Sequence, residues 1–358
     1  MSYIPSFPLP LSMTLAGLFV KSPPLLMGLP ETTYDVIIPL YNKQDLIVKC
    51  LESVFSQTKR VHKVIVIDDD SQDLSLELVK QHFEDRVILL RNERNLGKAA
   101  SINRAISYVD CPYVLILDAD TILDREFAHK AFCGFYAEDV HGVCGTVLPL
   151  SDKSSIGKAR LIEYLEGMLA KNFQAKIGGI WVLSGCATIW RASFLKENPM
   201  PNHIVEDMLQ TWVAQKNGKV NYVKDAVCYT QDPEKFGDWL KQIKRWYSNG
   251  DVVKNNFREV KTGLKATCFW AYAESISFLI LLGMFLYLLF IAKDLIALFS
   301  LATLDIGLTL LTVLISAGRL GVSKIKALKA LPHHLLVRIP NAIMFLLYHF
   351  KSIISNRK

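Results

Sequence analysis

Residues 63–71 read Lys63-Val64-Ile65-Val66-Ile67-Asp68-Asp69-Asp70-Ser71. An unbroken β-branched run predicts a strand buried on both faces, as in parallel sheets. Its carboxyl end carries acids, which is where such sheets bind ligands. Residues 34–40 (Tyr-Asp-Val-Ile-Ile-Pro-Leu) upstream and 113–117 (Tyr-Val-Leu-Ile-Leu) downstream repeat the apolar pattern, and Asp118-Ala119-Asp120 follows the second. Helical spacing occupies 45–55, 74–83 and 97–108, with a short strand at 87–91. This alternation predicts an α/β, Rossmann-like, doubly wound and mostly parallel sheet.

Further along, 142–148 and 179–190 read as strands, 155–172 as a helix and 220–223 as a strand. A helix over 207–217 is led by Glu206-Asp207. Residues 233–247 form an amphipathic helix with Trp239, Ile243 and Trp246 on one face. Composition shifts after Lys265. Residues 275–292 carry no charge, and 295–317 carry only Asp305. Both are long enough to cross a bilayer, which takes roughly 18–20 apolar residues. The short Lys293-Asp294 link predicts a helical hairpin. Residues 335–354 form a third apolar segment; basic flanks favour an in-plane helix over a crossing. Residues 1–33 are apolar but broken by prolines, which predicts an interfacial or re-entrant segment, with a short first crossing as the alternative. The expected organisation is 1–33, a domain over 34–265, and a membrane region over 266–358.

The net charge of +7 and the seven cysteines narrow the function. Much of the basic excess lies around the C-terminal apolar runs, at Arg319, Lys324, Lys326, Lys329 and Arg338. By the positive-inside rule that side is cytoplasmic, and the hairpin returns the chain to it, so 34–265 is expected in the cytoplasm. The expected location is a cell (inner or plasma) membrane, multi-pass. Zinc-finger spacing and RNA-binding aromatic signatures are absent from the sequence, which argues against a nucleic-acid partner. Scattered cysteines without a Cys-x-x-Cys pair fit a reducing compartment.

Four motifs carry chemistry. Asp68-Asp69-Asp70 can hydrogen-bond a nucleobase or ribose, or cap a helix. Asp118 and Asp120, two apart on a tight turn, can grip a hard divalent cation such as Mg²⁺ or Mn²⁺ that bridges a diphosphate. Turn formation is the alternative, though unpaired acids beside a buried strand would be costly. Glu206-Asp207 either complements a helix dipole or supplies Asp207 as a general base. Gln242, Arg245 and Trp246 lie within about one helical turn. Arg245 suits a diphosphate and Trp246 can stack on a sugar; a solvated helix with Trp246 as an interface anchor is the alternative. Asn95-Leu96-Gly97-Lys98 precedes a helix and brings Lys98 within reach of phosphate.

This ordered set resembles the inverting family 2 glycosyltransferases of GT-A fold, in the membrane-bound branch of chitin, cellulose, hyaluronan and poly-N-acetylglucosamine synthases. The likeness runs over about residues 34–290. Pro39-Leu40-Tyr41-Asn42 resembles the first-strand motif, Gly97-Lys98-Ala99 with Asn103 the G-K-x…N segment, and Gln242–Trp246 the Q-x-x-R-W box. Val205 replaces the Thr of T-E-D, and Asp70 stands where Gly is common. The resemblance implies donor contacts from Pro39, Tyr41, Asn42, Asp68, Asp69, Lys98, Asp118, Gln242 and Arg245. It implies metal ligation by Asp120 with Asp118, and base chemistry at Asp207 beside Glu206. Trp246 and the Ser184-Gly185-Cys186 loop would meet the acceptor.

The expected function is transfer from a UDP-sugar, UDP-GlcNAc or UDP-glucose first, to the hydroxyl of a growing β-linked polysaccharide. The alternatives are single-sugar transfer to a lipid or short glycan, and a non-catalytic sugar-nucleotide binder. Two or three crossings are few for a polysaccharide channel, so either the protein forms a homo-oligomer or pairs with a small membrane partner, or it does not itself secrete a long polymer.

Overall fold

A computed structural model describes residues 13–26 and 32–354. They divide into two compact units: residues 22–26, 32–150 and 182–231, and residues 13–21, 151–181 and 232–354.

The first unit holds an eight-stranded sheet. Its strands are β1 (Tyr34–Leu40), β2 (Lys63–Asp68), β3 (Ile88–Arg91), β4 (Tyr113–Leu117), β5 (Thr121–Leu123), β6 (Val140–Pro149), β7 (Ala187–Arg191) and β8 (Lys219–Thr230). Their spatial order is β3-β2-β1-β4-β7-β6-β8-β5. The first four neighbours are parallel, with Leu40 opposite Asp68 and Asp68 opposite Arg91. Beyond β4 the sheet mixes directions: β4–β7, β7–β6 and β8–β5 are antiparallel, β6–β8 parallel. Val64 to Ile67 are buried almost completely, as the apolar run predicts. Helices Ile47–Phe55, Ser75–Phe83 and Lys98–Ala105 follow the strands. Parallel order brings Asp68 and Asp118 to one edge of the sheet.

Strand β7 starts at Ala187, not 179. Residues 182–186 instead form a loop, bonded through Leu183 N–H to Thr211 Oγ1 at 3.0 Å. At the amino ends of the strands, Asp35 ties the sheet edge together. Its Oδ2 accepts from the Asp110 and Cys111 amides at 2.8 and 3.0 Å, and Oδ1 lies 2.8 Å from His62 Nδ1. Asp35, His62 and Cys111 have ligand atoms within 4.8 Å of one another. The Asp35 carboxylate is taken up by these hydrogen bonds, and the cluster stands at the sheet edge away from Asp118.

The second unit is helical. The Ser155–Lys176 helix is buried nearly all round, including Arg160, Glu163 and Glu166. Trp239, Ile243 and Tyr247 of the Phe236–Tyr247 helix pack with Ile156, Val337 and Phe345, while Trp246 is partly buried. Thr262–Ala292 and Leu295–Arg319 are long and apolar enough to cross a membrane. Lys293 turns between them in the left-handed region (φ 52°), and Asp294 caps the second helix through Ala297 N–H, giving the expected hairpin link. Asp305, the one charge in that apolar run, is held by Arg338 through two bonds of 2.9 and 3.1 Å. The Lys324–Ile354 helix contains Pro332 and Pro340 and bends by 58°, so it counts as a third span only if both halves form one. Two or three such helices among the described residues mark a membrane protein. Of residues 1–33, 1–12 and 27–31 lie outside the described residues, as do 355–358. Met13–Phe19 is a short helix whose Met13 N–H donates to Glu274 Oε1 at 3.0 Å.

Candidate active site

The site is built at the carboxyl ends of β2 and β4. Asp118 follows β4 directly, and its N–H donates to Cys186 O at 2.9 Å, seating the 184–186 loop beside it. Lys98 Nζ lies 2.5 Å from Asp118 Oδ1 and 3.6 Å from Glu206 Oε1, and it donates to Gly185 O at 2.9 Å. Asp120 pairs separately with Lys43 at 2.6 Å. A lysine ammonium therefore faces each carboxylate of the Asp-x-Asp pair.

Glu206 and Asp207 begin the Glu206–Asn217 helix. Asp207 is held in place by its own turn: Oδ1 accepts from Met208 N–H at 2.8 Å, and its carbonyl accepts from Thr211 Oγ1 at 2.6 Å. Gly185 lies against its carboxylate. A Cβ at 185 would sit 2.7 Å from Asp207 Oδ2, so any side chain there would push the acid away. That contact gives the Ser184-Gly185-Cys186 motif a physical reason. Thr188 Oγ1 donates to Ser184 O at 2.6 Å and fixes the loop's other end.

The first acidic motif is used differently along its length. Asp69 is buried, and Oδ1 accepts from Asn92 Nδ2 and Leu96 N–H at 2.7 and 2.8 Å. Its Oδ2 accepts from Gly97 N–H at 2.8 Å. Asp69 thus pins the loop that presents Lys98. Gly97 has φ 87° and ψ 161°, a conformation open essentially to glycine alone. Asp68 Oδ1 accepts from Ser71 N–H at 3.3 Å, and Oδ2 forms an ion pair with Arg91 Nε at 3.4 Å. Asp70 has φ 64°. The glycine common at that place is explained by the same left-handed backbone, which Asp tolerates.

Asn42 also adopts φ 50°, and its Oδ1 accepts from Gln72 N–H at 2.8 Å. Pro39 is in β1, and Tyr41 is exposed beside it. Asn103 exchanges two bonds of 2.8 Å with the Met200 backbone and so holds the chain that leads to Glu206.

Electrostatics agree with a cation site. Burial and the neighbouring Asp120 raise the Asp118 pKa above the usual carboxylate range, with Lys98 opposing them. Burial likewise raises Glu206, again opposed by Lys98. For Lys98 burial acts downward, but Asp118, Glu206 and Asp207 outweigh it and hold its pKa above the ordinary lysine value. The cluster thus has more acid than it neutralises. The Asp118 and Asp120 side chains are 31% and 16% exposed, so an ion can reach them. Two accessible carboxylates, one of them paired with an exposed lysine, fit a hard divalent ion.

Gln242, Arg245 and Trp246 are in the second unit, on the Phe236–Tyr247 helix. Arg245 is exposed, and Gln242 Oε1 is buried without a hydrogen-bond partner among the described residues. The Trp246 ring lies under the Arg160 guanidinium at 4.9 Å. Arg160 in turn is bonded to Asp232 at 2.9 Å, to Tyr164 OH at 2.8 Å and to Glu163. Sequence reading missed Lys43 and Arg160. Lys43 directly follows the first-strand motif, which was its only signal; Arg160 lies in 155–172, which reads only as a helix.

Residues 35–198 match the model for Glycosyl transferase family 2. A poly-beta-1,6-N-acetyl-D-glucosamine synthase of Staphylococcus aureus is 30% identical over 235 residues, which span 63% of this chain and 57% of that protein. The synthase of the same name from Staphylococcus epidermidis is 29% identical over 225 residues, 61% of this chain and 54% of its own. The chain thus matches little more than half the length of these relatives. Among solved structures, a mannosyltransferase of Pyrobaculum calidifontis in complex with GDP-Man and Mn²⁺ superposes with TM-score 0.62 at 17% identity. The match covers 96% of this chain and 93% of that one, and at this identity it speaks for the fold. The acidic array at the sheet edge therefore sits in a GT-A fold, with Asp68, Asp118 and Asp120 inside the stretch, residues 35–198, that matches the glycosyl transferase family 2 domain.

Proposed function

We propose that the protein is a membrane-bound inverting glycosyltransferase that moves a sugar from a UDP-sugar to the hydroxyl of a growing β-linked polysaccharide. UDP-GlcNAc is the first candidate donor and UDP-glucose the second. The observation that carries this reading is the set Asp118, Glu206 and Asp207 gathered around Lys98 at one sheet edge, with Asp120 beside Asp118 and paired with Lys43. The likeness to staphylococcal poly-beta-1,6-N-acetyl-D-glucosamine synthases supports the polymer and the donor.

The chemistry follows from these groups. Asp207, fixed by Met208 N–H and spaced by Gly185, accepts the proton of the acceptor hydroxyl as its oxygen attacks the anomeric carbon. Attack opposite the departing diphosphate inverts that carbon. A divalent cation held by Asp118 and Asp120 would neutralise charge on the leaving diphosphate. Lys98, pinned through the Gly97 loop, sets a fixed positive charge beside the same oxygens. Asp68, Asp69, Pro39, Tyr41 and Asn42 are assigned to the donor nucleotide, with Gln242 and Arg245. Trp246 and the 184–186 loop are assigned to the acceptor sugar. The basic residues from Arg319 to Arg338 support a cytoplasmic catalytic domain in the cell membrane.

A donor screen tests the reading. Purified protein in nanodiscs with Mg²⁺ or Mn²⁺ receives each labelled UDP-sugar in turn, and products are sized before and after glycosidase digestion. A high-molecular-weight product from one donor is expected. A labelled lipid or short oligosaccharide would replace polymer synthesis by single addition. Cation-dependent UDP binding without turnover would make the protein a binder.

A further inference from the structure

We propose that Lys43 is a further residue of the donor site: it holds Asp120 as a built-in counter-ion until a divalent cation arrives with a nucleoside diphosphate, and then turns to the diphosphate. This rests on the reading of Asp118 and Asp120 as the cation ligands.

The backbone of Lys43 is fixed. Its N–H donates to Ser75 Oγ at 2.7 Å, and its carbonyl accepts from Leu46 and Ile47 N–H at 3.0 and 2.9 Å. On either side, Asn42 N–H donates to Ser71 Oγ at 3.1 Å and Gln44 N–H to Asp73 Oδ2 at 3.1 Å. In return, Leu74 N–H donates to Gln44 Oε1 at 3.0 Å. The 42–44 segment is thus clamped to the 71–75 loop, and the Lys43 side chain starts from a set point.

That side chain is 39% exposed, and Asp120 is the carboxylate its ammonium pairs with among the described residues. Lys98 differs. It is gripped at once by Asp118, Glu206 and the Gly185 carbonyl. Freeing Asp120 takes the swing of one exposed side chain, whereas freeing Lys98 breaks three contacts.

An ammonium 2.6 Å from Asp120 Oδ2 and a divalent ion at about 2.1 Å from the same carboxylate repel each other. Cation binding must therefore displace Lys43. Without nucleotide, the displaced ammonium has only water to meet. With nucleotide, the diphosphate offers it negative charge. Cation and nucleotide consequently help each other bind, and by linkage the help is reciprocal.

The test measures Mn²⁺ binding by electron paramagnetic resonance on the purified full-length protein, with and without UDP. The variants are Lys43→Met, Lys43→Arg and, as a control, Asp120→Asn. Lys43→Met should bind Mn²⁺ alone about 3–10-fold more tightly than wild type, the scale of one accessible ion pair plus ion–ion repulsion. Its enhancement by UDP should shrink by a similar factor, and Lys43→Arg should restore wild-type coupling. Unchanged or weaker Mn²⁺ binding in Lys43→Met, while wild type binds Mn²⁺ and Asp120→Asn does not, overturns the role of Lys43 alone. Equal Mn²⁺ binding in wild type and Asp120→Asn, or none in wild type even with UDP, overturns the cation site and the inference with it.

Discussion

Lys98 and Arg160 are both cations ringed by carboxylates, one in each compact unit, yet only one stands where a ligand can reach it. Lys98 is 29% exposed, and its acids Asp118 and Glu206 stand at an open sheet edge. The Arg160 side chain is 3% exposed, and its donors are used on Asp232, Glu163 and Tyr164 while Trp246 covers its face. Glu163 passes the network on to Asn341 at 2.9 Å, and Asn341 bonds to Tyr247. Charge that solvent can reach is available to ligands; charge that is enclosed and partnered fixes helices. The comparison teaches that Trp246 and Tyr247 are positioned from the Ser155–Lys176 helix, so the Gln242–Trp246 helix depends on Arg160.

The sharpest way to break this contrast is the same truncation in both clusters. Arg160→Met should destabilise by about 3–5 kcal/mol, because Asp232 and Glu163 stay buried without their partner. Lys98→Met should cost about 1 kcal/mol or less in stability, since water can replace it, while weakening nucleotide binding. Thermal unfolding in detergent, paired with UDP binding, checks both; equal losses of stability would erase the distinction.

A second test sharpens the buried side. Burial pushes Glu166 up to about 8, from an ordinary value of 4.5. The folded protein thus holds a proton that the unfolded chain releases above its own pKa. This contribution to stability is complete below about pH 4.5 and is lost as pH rises through about 8. Glu166→Gln should flatten that decline, worth about 2–4 kcal/mol across the window. An unchanged slope of unfolding free energy against pH would contradict it.

The smallest effect belongs to the sheet edge. Asp70→Gly relieves a left-handed residue at φ 64° but gives up Asp70's 3.6 Å contact with Arg91. A net gain of about 0–1 kcal/mol is expected. A melting temperature lowered by several degrees would mean that the Asp70 side chain holds the loop.

Strands β1 to β4 were legible because doubly buried strands are continuous apolar runs, and the Asp-x-Asp pair was legible because it directly follows one. Strand β5, three residues long, is too short to show a pattern. Residues 179–186 looked like strand because they are apolar, but Leu183 and Ser184 bond to Thr211 and Thr188 and fold the segment over Asp207. Arg160, Glu163 and Glu166 lie in a stretch read only as a helix, since periodicity does not reveal that charges are paired with partners distant in sequence. Lys43 was hidden for the same reason: its meaning is a contact with Asp120, 77 positions on.

The central claim is that Asp207 is the base of a cation-dependent sugar transfer. The most direct measurement compares wild type and Asp207→Asn for transfer from the active UDP-sugar, alongside UDP binding with Mn²⁺. The account predicts transfer reduced on the order of 10²–10⁴-fold with nucleotide and cation binding retained. Full transfer by Asp207→Asn would contradict it.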